Sequence, residues 1–290
     1  MTNVKTKRLL VRARAARRNV RGFVSGAVSR IVPESVRKMA RPAVPYLRPT
    51  WDFVKEPVLA VLFALAATTA IARPYYVPTG SMEPTIAIGD EVLASKFAYG
   101  YSRYSMPYAI GPSSSTRLLQ RMPERGDVVV FQLPRDPGQA YVKRVIGLPG
   151  DRVQVLDGRV WLNGEELPLK PADTGLDEAE DGADIPTPLY IETLPNGRTH
   201  PVFKSQWDGP MNNTGVYVVP PGHLFMMGDN RDNSLDSRVA PADGGVGFVP
   251  MENLIGRADV VMGSVDFHKA KSLLGWPAEF RVARLLKRVH

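Results

Sequence analysis

The chain has 290 residues, 44% of them apolar, which is room for one large or two modest domains with a packed core, and it has no cysteine. That absence excludes disulfides, a thiolate nucleophile and any cysteine-type zinc site. The net charge of +8 is uneven: residues 1–56 hold fourteen Lys and Arg against Glu34, Asp52 and Glu56, a net +11 that leaves −3 for the remainder.

A nucleic-acid-binding domain spreads basic charge over a folded face. Here the excess sits in one arm, residues 1–56, beside an apolar run. The expected partner is therefore a lipid bilayer with anionic lipids, and no nucleic acid. Pro33, Pro42, Pro45 and Pro49 interrupt any long helix in the arm, so a solvated tail is expected, with a short amphipathic helix over Val11–Val28 as the alternative. The next segment, 57–73, reads as one transmembrane anchor, with a buried core helix as the alternative. Pro57 to Ala72 is uncharged and would span about 24 Å as a helix. Tyr75 and Tyr76 suit one interface, and Trp51 and Phe53 the other. Ala70-Ile71-Ala72 has the small-x-small form of a signal-peptide cleavage site, but the basic region ahead of it is far too long for a signal peptide. An uncleaved anchor is expected, with the arm in the cytoplasm and everything from Pro74 outside.

Beyond the anchor the pattern is mainly β. Gly89–Ala94 reads as a turn and a strand, and 97–120 as a Tyr/Ser/Pro-rich loop. Arg125–Phe131 and Tyr141–Ile146 read as a long hairpin around a Pro134–Gly138 loop. Alternation puts Tyr141, Lys143 and Val145 on one face and Val142, Arg144 and Ile146 on the other. Arg152–Leu156 and Arg159–Leu162 flank Asp157-Gly158, a favoured two-residue turn. These complete a first part, 74–162. Residues 163–215 read as an inserted, loop-rich β subdomain with an acidic stretch from Asp173 to Asp184. A second part, 216–268, holds a polar segment from Met226 to Arg238 and closing strands at Ile255–Val261 and Ser264–Phe267. In the tail, 269–290, Ala278–His290 predicts an amphipathic helix lying on lipid or on the domain.

One serine stands out. Pro74 to Thr85 holds Ser81 in a turn stiffened by Pro78 and Pro84 and loosened at Gly80. A serine needs a base, yet His200, His223, His268 and His290 are isolated, with no partner at triad spacing. No two histidines have metal-ligand spacing. The Asp229–Asp236 cluster lacks the mid-loop Gly and final Glu of a calcium loop, and no phosphate loop exists. No metal and no cofactor are expected. Lys143 remains, on a β-branched strand where burial would lower its pKa enough to make it a base.

Four segments in order, Pro78–Thr85, Gly126–Phe131, Tyr141–Asp151 and Gly228–Arg238, resemble the sequence boxes of bacterial type I signal peptidases. The resemblance runs from about Arg73 to Phe267. It implies an all-β catalytic domain with an inserted β-rich cap, anchored in the bacterial cytoplasmic membrane by a single span with the catalytic domain outside. It implies an endopeptidase that removes signal peptides from preproteins emerging from the secretion machinery. By position, Ser81 resembles the nucleophile and Lys143 its general base. Ser234 resembles the hydroxyl that orients the lysine, and Thr79 with the Ser81 N–H the oxyanion donors. Asn233, Asp236 and Arg238 resemble a supporting shell, and Met82 and Tyr141 the lining of the substrate cleft. Two other readings are a catalytically silent membrane-anchored binding protein of the same fold and a self-cleaving repressor-type serine–lysine protease.

Overall fold

The computed structural model describes residues 54–64, 71–106, 117–179, 182–265 and 279–289. The chain divides into two compact units, Met1–Ala64 and Leu65–His290. In the first, residues 54–64 are helical with exposed side chains. Among the described residues no helix is long and apolar enough to cross a membrane. The expected anchor over 57–73 lies in part outside the described residues, at 65–70. Its last two positions are not helical: Ala72 and Arg73 open strand β1 (Ala72–Tyr76) and pair with Ser95 and Ala94 of β2 (Asp90–Ser95). The readings for residues 1–53, the Val11–Val28 helix among them, lie outside the described residues.

The second unit is mainly β. Its largest sheet adds β3 (Val128–Leu133), β4 (Asp136–Gly147), β12 (His223–Met227), β13 (Val249–Pro250) and β14 (Leu254–Ser264) to the first two strands. The order is β1-β2-β14-β3-β4-β12-β13, with antiparallel neighbours. The run Val128–Phe131 is buried on both faces, Val128 and Val130 in one core cluster and Val129 and Phe131 in another. Burial on both sides is why this run is continuously apolar instead of alternating. The β3–β4 hairpin forms as expected, but its loop is shorter, because Asp136 already pairs with Leu133. The two closing strands are one, β14, whose register shifts after Ala258 and after Val261. Such bulges bend a strand without ending it. Phe267 lies outside the described residues.

Strands β5 (Arg152–Leu156) and β6 (Arg159–Leu162) form the second hairpin, with Asp157 and Gly158 at φ 47° and 72°. Positive φ at both central residues is the turn that Asp-Gly favours. With β7 (Glu165–Glu166) and β11 (Tyr217–Val218) they make a four-stranded sheet. The insert is more regular than its composition implies. Its β8 (Leu169–Glu178) and β9 (Asp184–Thr193) pair in a long hairpin, joined by β10 (Thr199–Phe203) into a three-stranded sheet. The described part of the acidic stretch, from Asp173 to Glu178 and at Asp184, lies at the far end of that hairpin. Most of β8 is exposed, so backbone pairing sustains it with little demand on side-chain pattern.

The expected helix at the end of the chain is not formed. Residues 279–289 hold a 3-10 turn, Val282–Arg284, and two bridges, Val265 to Phe280 and Val260 to Arg288. Val289 is buried beside Val77, Met82 and Ile86. The physical reason lies in Arg281 and Arg284, which bond into the domain, as described below, instead of forming the solvated face of a helix.

Candidate active site

Ser81 occupies a single 3-10 turn, Gly80–Met82, between the extended residues Thr79 and Glu83. The turn is pinned from beneath by Met82, which is fully buried in the core with Val77, Ile86 and Val92. Met82 therefore belongs to the core and does not line the cleft. A one-turn segment has no helix ladder of its own, so its position depends on side chains like this one.

Lys143 approaches Ser81 from β4. Its side chain is 3% exposed, and Nζ lies 2.7 Å from Ser81 Oγ. The amine also donates to the Val142 carbonyl at 3.1 Å and sits 5.6 Å from the centre of the Tyr141 ring. Burial pulls the lysine down to about 8, against the upward pull of the Asp236 and Asp229 carboxylates. An amine in that range is neutral often enough near neutral pH to accept a proton. Alternation sends the next residue the other way. Arg144 is 1% exposed and grips Asp229 with Nε at 2.8 Å and Nη2 at 2.7 Å. Thr85 Oγ1 donates to the same carboxylate at 2.5 Å. One strand thus supplies the candidate base and, one residue later, a clamp on the end of the serine loop.

The polar segment after β12 closes the site from behind. Asn230 N–H donates to the Ser81 carbonyl at 3.2 Å. A side chain on Gly228 would place its Cβ 2.4 Å from that carbonyl and 2.3 Å from Ser234 Oγ, so only glycine fits there. Asp236 accepts from Gly228 N–H at 3.0 Å and from Arg238 Nε and Nη2, each at 2.8 Å. Burial pushes the Asp236 carboxyl up, but the Arg238 charge and these hydrogen bonds hold it below the usual carboxylate range. Ser234 is 4% exposed, and its Oγ has no hydrogen-bond partner among the described residues. The expected Ser234–Lys143 hydrogen bond is therefore not formed here. Asn233 is exposed and lines the cleft, so it does not belong to the buried shell. Thr79 Oγ1, also exposed, lies 3.5 Å from Ser81 Oγ.

The cleft in front of Ser81 has a volume of about 750 Å³. Tyr76, Val77 and Pro78 line it, as do Ala140, Tyr141 and Val142, with Glu178 and Leu235 also at its wall. Among the described residues no group of His, Asp or Glu is placed to hold a metal ion.

The arrangement also depends on residues that sequence reasoning assigned no role. Arg284 grips Asp90 through Nε at 2.8 Å and Nη2 at 2.5 Å, and donates to the Thr85 carbonyl at 3.2 Å. Arg281 donates to the Ile88 carbonyl and to Ser264 Oγ, and faces Glu178. Together they strap the segment that follows the serine turn. Arg144, Asp229, Thr85 and Gly228 lie inside the recognised boxes, where the boxes alone could have marked them. Arg281 and Arg284 contact residues 193 and 194 positions away, and no local spacing signals that.

A serine with a buried, partly neutral amine at hydrogen-bond distance is equipped for nucleophilic attack on a carbonyl. The family model described as signal peptidase, peptidase S26, matches residues 50–263. Signal peptidase I of Rickettsia typhi is 38% identical over 247 residues, covering 79% of this chain and 90% of that one. Its counterpart from Rickettsia akari is 40% identical over 215 residues, covering 72% and 77%. A crystal structure of a signal peptidase I from Enterococcus faecalis is 27% identical, covers 47% of this chain and 97% of that one, and aligns with a TM-score of 0.29. The family match and the Rickettsia relatives each extend over most of the sequence, and on that ground the chain belongs to the signal peptidase, peptidase S26 family.

Proposed function

We propose that the protein is a serine endopeptidase that removes signal peptides from translocated preproteins, with Ser81 as nucleophile and Lys143 as general base. The observation that carries this is the 2.7 Å approach of a 3% exposed lysine amine to Ser81 Oγ. Neutral Nζ takes the hydroxyl proton as Oγ attacks the scissile carbonyl. The oxyanion that forms accepts hydrogen bonds from the Thr79 hydroxyl and the Ser81 N–H, donors of a kind worth about 3 kcal/mol each. The protonated amine then passes its proton to the leaving amide nitrogen. Water, deprotonated by the same lysine, releases the acyl group from Ser81 as a new carboxylate.

The substrate lies extended between Tyr76–Pro78 and Ala140–Val142, where alternate side chains enter the wall. The apolar lining favours small residues before the scissile bond. The exposed apolar side chains of 54–64 and the charge of the arm support a single membrane anchor, with the arm on the cytoplasmic side against anionic lipid and the catalytic unit outside. Tethering would raise the effective concentration of membrane-bound preproteins emerging from the secretion machinery.

The test is cleavage of a preprotein by detergent-solubilised enzyme. Ser81→Ala and Lys143→Ala are expected to abolish it, and Lys143→Arg likewise, because a guanidinium is no base near neutrality. Retained cleavage in any of the three would remove the assigned pair.

A further inference from the structure

The long hairpin of the insert reaches the serine loop at one carboxyl group. Glu83, two residues past Ser81, is 3% exposed. Its Oε2 accepts the N–H of Glu178 at 2.9 Å, and its Oε1 the N–H of Ile88 at 3.4 Å. The Asp177 carboxyl, on the residue before Glu178, faces the same group. Two ionised carboxylates offer only acceptors, so a hydrogen bond between them requires a proton. Asp177 is tied onward: its Oδ1 accepts Asn230 Nδ2 at 2.7 Å, and that amide also donates to the Gly80 carbonyl at 3.3 Å. Since Asn230 N–H holds the Ser81 carbonyl, a continuous chain of bonds runs from the hairpin to the backbone of the serine turn. Glu178, the neighbour of Asp177, stands in the cleft wall.

We propose that Glu83 and Asp177 form a proton-sharing acid pair that latches the β8–β9 hairpin onto the serine turn, so that both are positioning residues for Ser81 and for the cleft wall at Glu178. This deepens the serine-peptidase reading and rests on it. The charged groups around the pair are Asp177 and Glu178 from β8, Asp90 held by Arg284, and Arg281, which is engaged with Glu178 and the Ile88 carbonyl. The polar segment contributes Asn230, which is neutral. Arg281 is spent on Glu178 and the Ile88 carbonyl, so loss of the shared proton leaves two facing negative charges. Burial first, then the hydrogen bond to Asp177, push Glu83 up from 4.5 to about 8. A raised carboxyl favours the latched state fully below its ordinary value, and the contribution is lost as the pH rises through about 8.

The experiment is the pH–rate profile of the full chain in detergent on a preprotein, for wild type, Asp177→Asn and Glu83→Gln. An amide at position 177 can still donate to Glu83 but cannot ionise. Wild type is expected to gain activity as Lys143 loses its proton and to decline as the pH rises past about 8. Asp177→Asn is expected to keep the acid limb and lose the alkaline decline, retaining roughly fivefold more of its maximal kcat than wild type at the alkaline end. Identical alkaline limbs in wild type and both variants would overturn the proposal. If a variant folds poorly, hydrogen exchange in the Ser81→Ala background gives the answer without turnover. The amides around Asp177 and Glu178 are expected to lose protection between pH 7 and pH 9, beyond the intrinsic rate change, in Ser81→Ala but not in Ser81→Ala/Asp177→Asn. Equal loss in both, or none, overturns the latch. Cleavage by Ser81→Ala would instead remove the nucleophile, while the exchange measurement still reports on the hairpin.

Discussion

Lys143 holds its amine in a place where a charge is unwelcome. Its value of about 8 against an ordinary 10.5 means that the folded protein binds fewer protons than the unfolded chain between those limits. The cost to stability is therefore complete below about pH 8 and disappears as the pH rises toward 10.5. Replacing the lysine by the similar-sized apolar methionine should abolish cleavage yet raise the melting temperature at pH 7, by a stabilisation of up to about 3 kcal/mol. The gap should close in scans above pH 10, and a Lys143→Met protein less stable than wild type at neutral pH would mean that the amine is not buried as described. Asp229 gives the opposite case. It neutralises Arg144 inside the protein, with both side chains no more than 2% exposed. Asp229→Ala would strand that guanidinium, and a loss of about 3–5 kcal/mol in urea unfolding is expected. At this scale the sequence was most readable where chemistry is local: the serine in its proline-flanked turn, and the lysine on a β-branched strand whose alternation fixed which neighbours share its face. Met82 misled because an apolar residue beside a nucleophile fits a cleft lining as well as a core plug. Only its burial decides.

Strands with strong local grammar were legible as elements. The Asp157-Gly158 hairpin and the β3–β4 pair follow from turn chemistry and β-branching. The insert was not, because an exposed ribbon held by backbone bonds carries no alternation to read. The final segment was read by its 3.6-residue period, and tertiary bonds overrode that period. Arg284 is the clearest instance, since its partner Asp90 is 0% exposed. Arg284→Ala should therefore both destabilise the protein, by about 3 kcal/mol in denaturant melts, and lower kcat by loosening the chain after Thr85, with KM little changed. Wild-type kcat in a folded Arg284→Ala enzyme would show that the strap supports the fold alone.

Across the molecule, the distribution of charge is the feature that composition shows best. The arm carries a net +11 against −3 elsewhere. If the arm meets anionic lipid, full-length protein should prefer vesicles containing phosphatidylglycerol over neutral ones, and the preference should fade with salt. A variant lacking residues 1–53 should lose that preference while still cleaving soluble peptide substrates. Equal binding to both vesicle types by the full chain would sever the arm from the membrane. The order of the four boxes made the family legible. The way they meet in space was not, because the contacts that assemble the site cross from one part of the chain to another: β4 to the serine turn, the polar segment to Gly80 and Ser81, the insert to Glu83, and the last described segment to Asp90.

The separation of 194 positions between Arg284 and Asp90 has a consequence for biosynthesis. During translation the serine turn leaves the ribosome long before the arginines that secure it have been made. A growing chain that has yet to reach Arg281 would hold Ser81 and Lys143 but not the strap on the segment after the serine turn. Competence would then wait until Arg284 has been made. Until that moment the newborn enzyme would be a poor threat to neighbouring nascent chains and to its own Ala70-Ile71-Ala72.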